Sequence, residues 1–166
     1  VYSAGSAAAV DGLPAKPALL MTGETDGIVP VAGVTDAYDA LPSPRGIVTL
    51  AAAGHLLFSD ICVIGRDRGG ILAIAAEYGI RVVPILQTLG SDGCHEADMT
   101  AEVGWPLIHH TTVAHLEWVF GRNDGRAGLD AELATCLGEL AVDARFDVVE
   151  GSGEGSGEGS GEGSGS

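Results

Sequence analysis

"ALLMTGETDGIVP", residues 18–30, decides the reading of the fold. Residues 18–23 are a continuous apolar run closed by Gly23, the signature of a strand buried on both faces of a parallel sheet. Asp26 and Gly27 then make a turn. Outward from it, Val31, Val34, Tyr38 and Leu41 fall at helical spacing, with Pro30 suited to a first turn and Pro42 ending the element. "GIVTLAAA", residues 46–53, is a second buried strand. Strand, helix and strand in about 35 residues make one crossover unit, which predicts a parallel sheet covered by helices.

Beyond His55 the apolar spacing turns helical. Ile71, Ile74, Ala75 and Tyr78 share one face, and Val82, Ile85, Leu86 and Leu89 share another, with Gly79 as the break between them. "SDGCHEAD", residues 91–98, reads as a polar loop. Trp105, Ile108, Thr112, Leu116 and Val119 predict a long amphipathic helix stopped by "GRNDGR", and Leu129, Leu133, Cys136, Leu137 and Leu140 predict one more. At the other end, "VYSAG", residues 1–5, is a β-prone fragment followed by the loop "DGLPAKP", residues 11–17.

Two strands and a fragment are too few for a free-standing sheet of this kind, whose edges and faces would lie open. Residues 1–149 are therefore expected to be part of a larger α/β domain, and the opening "VYSAGS" reads as a start in mid-domain with no signal peptide. Residues 150–166, "EGSGEGSGEGSGEGSGS", repeat every four residues and hold no apolar side chain. Such a segment cannot offset its ordering entropy; it reads as an engineered Gly/Ser/Glu flexible linker.

Eight Lys and Arg stand against 23 Asp and Glu, a formal net charge of -15. Phosphate binding needs a basic face, so no nucleic-acid partner is expected. No apolar run reaches the length of about 18 residues that a transmembrane segment requires. None of the three cysteines lies in a C-x-x-C unit; Cys62 and Cys94 read equally as a disulfide or as buried reduced thiols. His109, His110 and His115 in "HHTTVAH" share no helical face and lack the H-E-x-x-H pattern, and with His95 they read as solvated or packing residues. Neither a metal nor a cofactor is expected.

The chemistry sits after the two strands. In open α/β sheets the working side chains gather where strands end in their carboxyl direction, and Asp26 and His55 each follow such an end. An imidazole needs a carboxylate on one ring nitrogen to fix its tautomer and to stabilise the cation formed when the other nitrogen takes a proton. Acid before histidine is also the chain order of Ser, Asp and His in α/β-hydrolases. "KPALLMTGETDGIVP" (16–30) and "TLAAAGHLLFSDIC" (49–62) resemble the acid loop and histidine loop of that superfamily. They are most similar to the esterase, lipase and dienelactone hydrolase-like branch that includes platelet-activating-factor acetylhydrolase relatives.

The resemblance covers roughly residues 1–120. It implies that Asp26 is the triad acid and His55 the general base, and that Cys62 and Cys94 match a cystine of secreted members. The fold it implies is the C-terminal part of an α/β-hydrolase: a mostly parallel sheet with covering helices and a helical C-terminal segment. Each residue also has an ordinary reading, Asp26 before Gly27 as a turn residue and His55 as a structural histidine.

No G-x-S-x-G turn occurs in the chain. "AGSAA", residues 4–8, is the degenerate form, but Ser6 precedes Asp26 by only 20 residues and "DGLPAKP" leaves no room for a crossover helix. Cys62 and Cys94 do not sit at a strand-to-helix turn either. The serine and its oxyanion-hole amides are thus expected in a missing N-terminal half of the domain. The chain would then be the acid/base half of a serine ester hydrolase acting through an acyl-enzyme on a small-molecule or lipid ester, inactive by itself. The rival expectation is a non-catalytic binding or scaffold module with a vestigial Asp26/His55 pair.

Overall fold

The computed structural model of the chain describes residues 12, 14–122, 128–129 and 131–147. The strand fragment expected at residues 1–5, Ser6 and the linker at residues 150–166 lie outside the described residues. Strand β1 (Ala18–Gly23) leads through helix α1 (Val31–Ala40) to strand β2 (Arg45–Leu50). Two 3-10 turns, His55–Phe58 and Arg66–Arg68, follow, then helices α2 (Gly70–Glu77), α3 (Pro84–Leu89), α4 (Ala101–Val119) and α5 (Ala131–Leu137), a third 3-10 turn, Gly138–Leu140, and finally strand β3 (Ala141–Asp147). This is a small mixed α/β arrangement with sheet order β1-β2-β3.

β1 and β2 pair in parallel, with Ala18 opposite Arg45 and Gly23 opposite Leu50. Alternate side chains leave the sheet on opposite faces. Leu20 and Ile47 pack with Val34, Ala37, Tyr38 and Leu41 of the α1 segment on one side. Leu19, Met21, Val48 and Leu50 pack with Leu57, Ala114, Leu133 and Leu137 on the other. β1 and β2 are buried on both faces, which is why their sequences run apolar without alternation. Arg45 closes the end of α1, its Nη1 donating to the carbonyl oxygens of Tyr38, Asp39 and Leu41 at 2.6, 2.8 and 2.8 Å. Those are the acceptors that a helix terminus leaves unpaired.

Four expectations are corrected. β2 ends at Leu50, not at residue 53: Ala52 turns at φ +48° and its N–H goes to Glu24 Oε2 at 2.9 Å, taking the chain out of the sheet. The sheet is mixed, because β3 runs antiparallel to β2, with Arg45 opposite Asp147 and Val48 opposite Ala144. The C-terminal segment is accordingly not all helical; after α5 and a short turn at Gly138–Leu140, it becomes this edge strand. Cys136, expected on an apolar face, is an exposed free thiol.

The long helix forms as expected, yet its buried face is Ala101, Gly104, Thr111, Ala114 and His115. A Cβ on Gly104 would fall 2.8 Å from the Leu57 side chain. The helix therefore lies close against the turn that carries His55, and small residues are what that approach requires. Helices α2 and α3 also form at the expected places, separated by Gly79 at φ +71°. Their apolar faces are only partly covered: Leu72, Ile74 and Leu89 are half-buried, whereas Ile85, Leu86 and, just past α2, Tyr78 are exposed.

Candidate active site

β1 and β2 end side by side, and their exit loops are bound to each other. Glu24 N–H donates to Leu50 O at 2.8 Å and Thr25 N–H to Ala53 O at 3.0 Å. A Cβ at position 23 would sit 2.0 Å from the Ala53 oxygen, so only glycine lets the two loops close this tightly.

The first loop then turns at Asp26. Its Oδ1 accepts the N–H groups of Ile28 and Val29 at 2.9 and 2.7 Å, so the side chain builds the turn it stands in. The Asp26 side chain is 1% exposed, and its second oxygen, Oδ2, lies 2.9 Å from Nδ1 of His55. The imidazole is about a third exposed at 32%. A carboxylate already receiving two backbone donors acts as an acceptor, so Nδ1 carries the ring proton and Nε2 presents a lone pair. Among the described residues Nε2 has no hydrogen-bond partner.

The structure thus brings Asp26 and His55 together across 29 positions of chain. It also shows that Cys62 and Cys94 form a disulfide, with Cα atoms 5.1 Å apart, so neither is a thiol nucleophile. Ser6 lies outside the described residues.

The polar loop at residues 91–98 contributes a residue to which sequence reasoning gave no role. Asp92 Oδ2 accepts the backbone N–H of His55 at 2.7 Å, and the same carboxylate receives the N–H of Gly27 at 3.2 and 3.3 Å. The Asp92 carbonyl accepts from Leu56 at 2.9 Å. Gly93 follows at φ +88°, pressed against Gly54 so closely that a Cβ on Gly54 would meet the Gly93 nitrogen at 2.3 Å. No signal in the sequence marks it, because its partners are backbone N–H groups.

The remaining histidines stand apart from the pair. His95 Nδ1 meets Asp98 Oδ2 at 2.9 Å on the surface. His115 is buried edge-on against Trp118, with ring centroids 5.8 Å apart, and burial pushes its pKa below the usual histidine value. Among the described residues no group of His, Cys, Asp and Glu is arranged to hold a metal ion. A cavity of about 530 Å³ between α2, α3 and the 91–98 loop is lined by Leu72, Ala76, Ile80, Ser91, Asp92 and His95. It touches the pair's surroundings through Asp92.

Compared with protein-family models, curated proteins and solved structures, the chain matches none of them. Among the described residues no helix is long and apolar enough to cross a membrane.

Proposed function

We propose that Asp26 and His55 are the acid and base of a serine ester hydrolase whose attacking serine lies in a segment outside the described residues. The observation that carries this reading is a buried carboxylate on Nδ1 of an imidazole that is about a third exposed and whose Nε2 has no partner among the described residues. In the reaction, the serine Oγ attacks the ester carbonyl while its proton passes to Nε2. Asp26 stabilises the imidazolium, which then gives the proton to the departing alcohol. Water repeats the sequence on the acyl-enzyme, releasing the acid. The partner is the N-terminal part of an α/β-hydrolase domain bearing a G-x-S-x-G turn, which also supplies the oxyanion-hole amides. The substrate class is a small-molecule or lipid ester.

The test mixes the chain with such a partner polypeptide and follows fluorophosphonate labelling and p-nitrophenyl acetate turnover. Both should appear on assembly and disappear with His55→Ala. An assembled complex that neither labels nor turns over would make the pair part of a non-catalytic module. Labelling of the chain alone, lost in Ser6→Ala, would place the nucleophile within this chain instead.

A further inference from the structure

We infer that Asp92 is a positioning residue for the Asp26–His55 pair, holding the acid loop and the histidine loop at one spacing. The inference deepens the hydrolase reading and rests on it for its functional meaning. The two loops come from different strand ends, and their side chains meet in one contact of 2.9 Å. A proton relay needs that contact kept within a few tenths of an ångström, so the backbones beneath it must be fixed to a common support.

Asp92 is placed to be that support. Its carboxylate takes one N–H from Gly27, the residue after the acid, and one from His55 itself. Donors of this kind have no ladder partner in a loop and go to a side chain or to water, and an ionised acceptor makes the stronger bond, here shortest at 2.7 Å from His55 N–H. Asp92 is in turn held from three directions. Its carbonyl receives Leu56 N–H, Gly93 packs on Gly54, and Cys94 is bridged to Cys62 just beyond the histidine turn.

The geometry orders the variants. Oδ2 receives the N–H of His55 at 2.7 Å, and the N–H of Gly27 is shared between Oδ1 and Oδ2 at 3.2 and 3.3 Å. Asp92→Asn keeps the carbonyl oxygen for the histidine loop but turns an N–H₂ toward the Gly27 N–H, weakening the hold on the acid loop, and Asp92→Ala serves neither. The readout is the Nδ1–H proton resonance of His55 in the full chain, assigned by its absence in His55→Gln. Asp92→Asn should raise its exchange with water roughly tenfold. Asp92→Ala should abolish the resonance while the methyl signals of Leu20 and Val48 stay in place, and Asp92→Glu should restore part of the protection. Equal exchange in the wild-type and Asn chains, or a wild-type chain with no such resonance, overturns the inference. Should the Ala variant unfold, the Asn and Glu variants decide. Ordered loss of the resonance, combined with absent labelling in the assembled complex, would leave the Asp92 support standing and sink the hydrolase reading.

Discussion

Asn and Ala at position 26 disturb the same buried site by different amounts, and the difference can be worked out bond by bond. Oδ1 of Asp26 receives Ile28 N–H and Val29 N–H at 2.9 and 2.7 Å, and Oδ2 receives His55 Nδ1–H at 2.9 Å. An asparagine keeps the first two on its carbonyl oxygen and exchanges the third for a neutral bond from its N–H₂ to Nδ1; an alanine loses all three. A hydrogen bond to a charged group contributes about 1.5–3 kcal/mol. Ile28 and Val29 are only half-buried, so water re-pairs part of what alanine removes. The expected costs are about 1 kcal/mol for Asp26→Asn and about 2–4 kcal/mol for Asp26→Ala, read as urea midpoints at constant slope. Chemistry should not follow stability. In Asp26→Asn the amide N–H₂ faces Nδ1 and forces it to accept, which moves the ring proton to Nε2 and blocks uptake of the serine proton. Under the proposed hydrolase function, labelling of the chain assembled with its partner should then fall by roughly 10⁴ despite the small loss in stability. Matching midpoints for the two variants would refute the hydrogen-bond assignment, and wild-type labelling in Asp26→Asn would refute the role of the tautomer.

The Cys62–Cys94 bridge closes a loop with a sequence separation of 32. Restricting the unfolded chain to that extent contributes about 3–4 kcal/mol; the double variant Cys62→Ser/Cys94→Ser should lose it, and an unchanged urea midpoint would contradict that expectation. His115 titrates below its usual value of 6.5 because it is buried. Its folded form therefore prefers the neutral ring. The stability it contributes is fully present above about pH 6.5 and is lost as pH falls from there through the lowered folded value. His115→Gln should flatten the pH dependence of the urea midpoint in that acid window; an identical slope in both chains would show that other groups set it.

The sequence exposes β1, α1 and most of β2 because burial on both faces forces unbroken apolar runs, and because Val31, Val34, Tyr38 and Leu41 repeat at the helical period, of which Val34, Tyr38 and Leu41 are buried. The meeting of Asp26 and His55 is legible from the same burial pattern, which places each residue shortly after a strand end, although it sets the end of β2 at residue 53 where the strand stops at Leu50. β3 is not legible. As an edge strand it is only half covered, Val142 is exposed, and its apolar residues follow directly on those of α5. The packing face of α4 escapes because close approach selects Ala101, Gly104 and Ala114, whereas a search for large apolar side chains picks out Leu116 and Val119, which are exposed. Asp92 is hidden for a deeper reason. Its partners are backbone N–H groups, which every residue but proline has, so nothing in the composition of the loops it joins marks the connection.

The place of β3 has a consequence for the order in which the fold is completed during synthesis. β2 carries the histidine turn, yet its outer hydrogen-bonding edge is filled by residues 141–147, made nearly one hundred positions later. While the ribosome is still adding α2 to α5, that edge stays open to any extended peptide nearby, and the long separation makes its proper closure a slow step. A ribosome stalled before residue 141 would display the histidine strand with a bare flank, the form in which nascent chains of this protein should most need a chaperone.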